Sequence, residues 1–396
     1  MERPDFDVIV AGAGVGGAAT ARYLTQAGLS VLVVEKALLP RYKACGGAIP
    51  RAALERLPYD FDSVIRAAPV EARITFSGFA PLDLPITDRP VVMVMRSEFD
   101  AFLLARSGAE ILDGTAVTSV IEDDDAVRVR VGERTLTARY LVGADGATSQ
   151  VARSLGLRRK PQFGGTLEAE VPLKGAGALK AEYGERATFL MSVVPWGYAW
   201  VFPKGDSLSV GIGRFRPGRV DLRAGLQREM GRLGIPLNGV KFHGHPLPCY
   251  HAPPWPLWKR RWQERLSTRR CLLVGDAAGL VDPLIGEGIR YAIASARLAQ
   301  ESILRDDLSD YEAAIWQEIG HSLATAGLAA NTYYRLPRLG YQIGLRNPAT
   351  VRLLVDVLTE RSSYEGIGRR ALATMARWFL EGKGMQDKPS TRREET

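Results

Sequence analysis

Apolar runs of strand length alternate with helix-spaced patterns from the start of the chain. Residues 7–11, DVIVA, form a short apolar run that reads as a buried strand. GAGVGG follows at 12–17, then AATARYLTQAG, whose apolar residues recur at helical spacing. SVLVVEK is a second strand, ending at Glu35 and Lys36. Two later segments repeat the motif of a strand that runs into glycine. RYLVGADGATSQVAR (139–153) predicts a strand ending near Asp145, then a turn and a short helix. CLLVGDAAGLVDPLIGEGIRYAIASARLAQ (271–300) predicts a strand ending at Gly275-Asp276, a Gly/Pro loop and a long helix. In that helix Ile289, Ala292, Ile293 and Ala296 make one apolar face.

Between these segments the pattern changes. A helix is expected near 97–107 and strands near 110–140, with residues 51–140 contributing to two lobes. Residues 155–250 read mostly as strands and turns, an antiparallel sheet. The stretch 251–262, HAPPWPLWKRRW, reads as a loop, with Lys259, Arg260 and Arg261 between Trp258 and Trp262. Residues 307–383 read as helical, with RLPRLGYQIGLRNPATVRLLVDVL and RRALATMARWFLEG as basic amphipathic helices, suited to a lid over an apolar channel or to a membrane surface. Residues 384–396 are polar and expected to be disordered.

The first strand–glycine–helix–strand unit has the form of a dinucleotide-binding turn. Gly12 makes the tight turn, Gly14 lets backbone approach a pyrophosphate, and Gly17 lets helix and strand pack closely. The helix N-terminus favours the phosphates, and Glu35 can accept hydrogen bonds from a ribose. Asp276, at a strand end, can accept from ribitol hydroxyls, and the loop from Pro283 to Gly288 brings bare backbone to a helix start.

Composition narrows the class. The chain has 396 residues, 46% hydrophobic and 24% charged, enough for two or three lobes of a globular protein. Cys45, Cys249 and Cys271 are odd in number and far apart, which argues against a disulfide framework and for a reducing cytoplasm. The N-terminal strand leaves no room for a signal peptide, and no apolar run reaches spanning length. A net charge of +8 suits phosphates, acidic lipid surfaces or an acidic redox protein. The basic residues are dispersed and carry no nucleic-acid motif, so nucleic acid is not an expected partner. No spacing suggests a metal site. None of His243, His245, His251 or His321 joins a catalytic constellation, and His243 and His245 read as structural.

In their order along the chain, GAGVGG with Glu35, Arg96 in RSEFDAFL, GADGATSQVAR and GDAAGLVDPLIGEGI resemble FAD-dependent enzymes of the hydroxylase-like glutathione-reductase superfamily. Two more segments narrow this resemblance to the geranylgeranyl reductase family. One is CGGAIP (45–50) in RYKACGGAIP. The other is PWGYAWVFPK (195–204), similar to that family's Tyr-x-Trp-x-Phe-Pro-Lys strand. The resemblance implies an α/β fold: an FAD-binding Rossmann-like βαβ domain, an interleaved antiparallel-sheet substrate domain and a C-terminal helical region. The expected divisions are 1–70 with 95–155 and 268–305 for FAD, 71–94 with 156–267 for substrate, and 306–383 for the helices. It implies a cofactor site of Gly12, Gly14, Gly17, Glu35, Lys36, Arg41, Cys45, Gly46, Arg96, Asp145, Gly275, Asp276, Pro283, Gly286, Glu287, Gly288 and Ile289.

Such enzymes saturate C=C bonds of a polyprenyl chain by hydride transfer from reduced FAD. The resemblance therefore implies a polyprenyl substrate: a lipid, a quinone tail, a pigment or a free diphosphate. Tyr198, Trp200 and Phe202 alternate on a strand and share a face, an aromatic wall expected to bind substrate together with Gly46 and Gly47. Cys45 and Tyr198 are the catalytic candidates. Cys45 is a candidate for the proton step or for holding the chain near the flavin, and equally for a small residue that lets the ring sit close. No second nucleotide fingerprint follows; GIGRFRPG (211–218) lacks a βα unit. The electron donor is expected to be transiently bound NADPH or a reduced ferredoxin-like protein. A cytoplasmic location with peripheral membrane contact is expected. The alternatives are an FAD monooxygenase of the same fold acting on an apolar or aromatic substrate, and a non-catalytic flavin carrier.

Overall fold

The computed structural model describes residues 3–158, 161–251, 264–358, 370 and 373–374. Four parallel strands form the centre of the first sheet. Phe6–Ala11 pairs with Val31–Val34 on one side and Arg134–Gly143 on the other, and Cys271–Leu273 pairs with Arg134–Gly143. Glu110–Leu112 extends the parallel edge beside Val31–Val34. Val127–Val131 and Val117–Glu122 add an antiparallel extension. Both faces of the parallel strands are covered, so they read as continuous apolar runs: Val8, Ile9, Val10, Leu141, Val142, Leu272 and Leu273 are fully buried. Helix Val15–Gln26 connects the first two strands and packs on helix Ile289–Leu304, whose face of Ile289, Ala292, Ile293 and Ala296 is buried as its spacing predicts. The carboxyl ends of the parallel strands meet at one edge, where open α/β sheets form their crevice.

The second sheet runs His243–Leu247, Gly164–Pro172, Ser207–Arg214, Gly197–Pro203, Arg186–Met191, Glu71–Phe76, Leu82–Pro85. It is antiparallel except where Arg186–Met191 lies parallel to Glu71–Phe76. That pair is joined by more than a hundred residues that contribute four strands to the other sheet, as a parallel pairing requires a long connection. A third small sheet joins Ala48–Pro50, Val91–Val94 and Ile65–Ala67. Val91–Val94, expected in the second lobe, therefore pairs with the Cys45 segment's continuation and not with the larger second sheet. Asp88 and Arg89, both at positive φ, lie in the link that redirects the chain.

Consecutive helical segments from Tyr311 to Leu358 close over both sheets. Tyr341 is fully buried against Phe76 and Phe79, and its hydroxyl donates to the Ile74 carbonyl at 3.2 Å. Tyr334 donates to the Leu284 carbonyl at 2.8 Å. Among the described residues no helix is long and apolar enough to cross a membrane. The Pro/Trp stretch with Trp258, Lys259, Arg260, Arg261 and Trp262, most of 359–383, and the tail 384–396 lie outside the described residues.

Candidate functional site

A cleft of about 650 Å³ opens at the carboxyl edge of the parallel strands. Gly12, Gly14, Glu35, Lys36, Arg41, Cys45, Arg96, Asp145, Gly275, Asp276, Gly286, Gly288 and Ile289 all line it. Residues from segments more than 270 positions apart are thus brought to one surface. The glycine turn is built for close approach. Gly12 has φ +102°, and a Cβ there would stand 2.4 Å from the Ala144 carbonyl oxygen. A Cβ on Gly17 would stand 1.9 Å from the Gly12 carbonyl oxygen, so Gly17 sets the helix against the strand and is not itself a wall. A Cβ on Gly14 would meet only the tip of Arg41, at 3.6 Å. The space in front of it belongs to the cleft.

Glu35 is buried, and its carboxylate accepts from the Ala13 amide (2.9 Å) and the Ala37 amide (3.1 Å). It fixes the glycine turn as well as facing the cleft. Arg41 lies 3.3 Å from Glu35 and donates to Asp100 at 3.0 Å. Arg96 holds the same Asp100 carboxylate with two bonds, 2.8 and 2.9 Å. Two guanidinium groups thus share the buried Asp100, and with Glu35 they form a charge-balanced cluster that fixes both arginines at the cleft wall. Asp145 accepts from the Gln150 and Val151 amides with one oxygen, at 2.6 and 3.1 Å. Its other oxygen is buried without a partner, and burial pushes its acid up. Such an orphaned acceptor in a cleft wall fits a ligand that brings hydroxyl donors.

Asp276 sits where the two sheets face one another. Burial alone would raise its pKa, yet His245 (3.9 Å) and Lys43 (3.7 Å) hold it well below the usual carboxylate range. Lys43 also lies 3.0 Å from His245 Nε2, and burial pushes its ammonium down against the pull of Asp276. Tyr42 stacks on His243 at 4.0 Å. His243 and His245 line the cleft, which corrects their reading as purely structural residues. Only the pairing of His243–Leu247 with Gly164–Pro172 carries them there, a long-range contact with no local signal.

Gly46, Gly47, Pro283 and Glu287 do not line the cleft, although each lies within two positions in sequence of a residue that does. Pro283 is buried in a loop held by Asp282, whose carboxylate accepts from the Leu284 and Ile285 amides. Glu287 turns to Arg290 (3.0 Å) and to that residue's amide (2.8 Å), at the start of the long helix.

The Cys45 turn is pressed between the cleft and the aromatic strand. A Cβ on Gly46 would lie 3.0 Å from Phe202 and 3.2 Å from Trp200 Nε1. Gly47 has φ +76°, and a Cβ there would reach the Val94 carbonyl oxygen at 2.2 Å. Cys45 is half-buried, and its Sγ accepts from the Gly47 amide at 3.4 Å. The buried Lys204 donates to the Cys45 carbonyl (3.2 Å) and to Glu170 (2.5 Å). Tyr198, Trp200 and Phe202 are buried in one cluster with Phe215, Val281 and Tyr334. Gly211 is bare because a Cβ would strike the Trp200 ring at 2.1 Å. The Tyr198 hydroxyl donates to the Ile285 carbonyl at 2.6 Å, so it ties the wall to the 282–288 loop. Beneath the turn, Tyr42 donates to the fully buried Glu168, which also accepts from Ser209 at 3.1 Å. Burial raises the Glu168 acid to about 7. Glu168 and Glu170, two apart on one strand, point to the same face, a pattern readable in LEAEV.

These features fit a flavin dinucleotide. A family model described as FAD binding domain matches residues 5–174. The geranylgeranyl diphosphate reductase of Rhodobacter capsulatus is 30% identical, covering 91% of this chain and 90% of that protein. The menaquinone reductase of Mycolicibacterium smegmatis is 31% identical, covering 89% and 91% respectively. A solved Thermoplasma acidophilum structure described as geranylgeranyl bacteriochlorophyll reductase-like superposes with a TM-score of 0.71 at 23% identity, covering 95% of this chain and 98% of that one. That likeness carries the fold, and the two relatives carry the family. With its FAD-binding domain and its near end-to-end match to both reductases, the chain belongs to the geranylgeranyl reductase family of FAD-dependent oxidoreductases.

Proposed function

We propose that this protein saturates isolated C=C bonds of a polyprenyl chain. The observation that carries this reading is the Cys45-Gly46-Gly47 turn. One side of it faces the cofactor cleft, and the other rests directly on Trp200 and Phe202. A cofactor ring and an apolar chain can therefore meet across three residues. The names of the two relatives support the same substrate class.

Gly12 and Gly14 admit the pyrophosphate, and Arg41, Lys43 and Arg96 set positive charge around it. Glu35, Asp145 and Asp276 accept from the cofactor's hydroxyls. FAD held by these residues would, when reduced, supply a hydride for one alkene carbon. The other carbon needs a proton, and Cys45 is the residue we assign to give it. Arg96 lines the same cleft and supplies a cation near the sulfur, which takes its proton back from water. Trp200 and Phe202 exclude water and align the chain. Tyr198 holds the 282–288 loop through Ile285. Electrons come from NADPH or from a small acidic redox protein. The +8 net charge supports an anionic partner, and the basic C-terminal helices support contact with a membrane surface.

The test is product analysis. FAD-loaded protein reduced with dithionite is incubated with geranylgeranyl diphosphate or a geranylgeranylated lipid. A product heavier by two hydrogens per bond reduced is expected. Recovery of all prenyl compounds unchanged contradicts the proposal.

A further inference from the structure

A buried ammonium braces the Cys45 turn. Lys204 follows directly on strand Gly197–Pro203, and its side chain is 1% exposed. Its backbone is fixed first. The Lys204 amide donates to the Ser207 carbonyl at 2.8 Å, across a tight hairpin in which Gly205 has φ +73°. From that anchor the ammonium reaches two acceptors, the Cys45 carbonyl at 3.2 Å and the Glu170 carboxylate at 2.5 Å. The Ser207 hydroxyl donates to the second Glu170 oxygen at 3.1 Å, so the counterion is itself held in place.

The same side chain packs on Gly47. A Cβ there would stand 3.0 Å from Lys204 Cε and 3.2 Å from its Nζ. The Gly47 amide donates to Cys45 Sγ at 3.4 Å, and the Gly47 carbonyl accepts from the Val94 amide at 2.9 Å. The turn is therefore gripped at both ends, by Lys204 at Cys45 and by Val94 at Gly47. The double grip sets the Gly47 amide against the sulfur. Packing of the two sheets does not call for a charge at this place. A buried ion pair adds little stability over apolar side chains of the same volume, because both ions are taken out of water. What this pair adds is direction. Glu170 aims the ammonium, and the ammonium holds the carbonyl of the cysteine that lines the cleft.

We propose that Lys204 is a positioning residue for the reaction: by holding the Cys45 carbonyl it keeps the thiol on the Gly47 amide at the cleft wall. Glu170 is its counterion. The inference rests on the polyprenyl reading with Cys45 as the proton donor, and it adds a residue that lies outside the cleft lining.

Two variants separate positioning from stability. Lys204→Met removes the ammonium and leaves Glu170 without its counterion, so it should denature at a lower denaturant concentration. Lys204→Met combined with Glu170→Gln removes both charges and should recover much of that stability. The readout is the rate at which iodoacetamide alkylates Cys45 in FAD-loaded protein, located by peptide mass; Cys249 and Cys271 are buried. An amide donor favours the reactive thiolate. Alkylation should therefore slow about tenfold in both variants alike, as expected for one hydrogen bond. With geranylgeranyl diphosphate as substrate, kcat should fall ~10²-fold in both, with KM unchanged. A loss in the single variant that the double variant regains makes Lys204 a stability residue and overturns the proposal. Unchanged or faster alkylation in the double variant also overturns it. If the unmodified protein reduces no prenyl compound, the polyprenyl reading fails, and the alkylation rates still decide the role of Lys204.

Discussion

Glu168 makes the buried network under the Cys45 turn sensitive to pH. Its carboxyl is 1% exposed and takes hydrogen bonds from Tyr42 and Ser209. Burial raises its pKa from 4.5 to about 7 in the folded protein. The unfolded chain loses this proton near 4.5, while the folded chain keeps it until about 7. Below the lower value the contribution to stability is complete; it is lost as pH rises through the interval, because the folded state must then carry a buried carboxylate. At 1.36 kcal/mol per unit, the loss reaches ~3 kcal/mol by about pH 8. Glu168→Gln keeps an acceptor for the Tyr42 hydroxyl and removes the titration. The assay is chemical denaturation of FAD-loaded protein, unmodified and Glu168→Gln, from about pH 4.5 to about pH 8. The two stabilities should be close at the acid end and diverge in favour of the variant at the alkaline end. Parallel curves would refute the reasoning, since every other titrating group is common to both proteins.

Other substitutions separate fold from function. Gly14→Val has room on the protein side, where only the Arg41 tip stands within 4 Å. It should fold normally yet purify without flavin; a normal flavin spectrum would remove the pyrophosphate assignment. Gly46→Ala places a methyl 3.0 Å from Phe202 and should cost ~1–3 kcal/mol by overpacking, read as a lower denaturation midpoint. An unchanged midpoint would mean the turn is not held against the strand. Cys45→Ala should retain FAD and slow single-turnover alkene reduction by ~10²–10⁴-fold if the thiol gives the proton. An unchanged rate would leave Cys45 as a packing residue.

Local pattern made much of the first sheet legible. The glycine turn, the Asp276 strand end and the buried face of helix Ile289–Leu304 all rest on residues close in sequence, where period and turn chemistry speak directly. The aromatic alternation at Tyr198, Trp200 and Phe202 was legible for the same reason. Sheet neighbours were not. The parallel pairing of Arg186–Met191 with Glu71–Phe76, and the pairing of Val91–Val94 with Ala48–Pro50, are tertiary choices that no short window records. His243 and His245 entered the cleft by such a pairing. Glu287, read as a cofactor residue, turned to Arg290, because a helix start lets a carboxylate choose between ligand and backbone.

The most direct test of the central claim is an anaerobic single turnover. The bound flavin is reduced, oxygen is excluded, and a geranylgeranylated substrate is added while the visible absorbance of oxidised flavin is followed. The account predicts that this absorbance returns without oxygen, in proportion to double bonds lost. Return only after oxygen is admitted, with a product heavier by an oxygen atom, would contradict it and assign the protein to monooxygenase chemistry on the same fold.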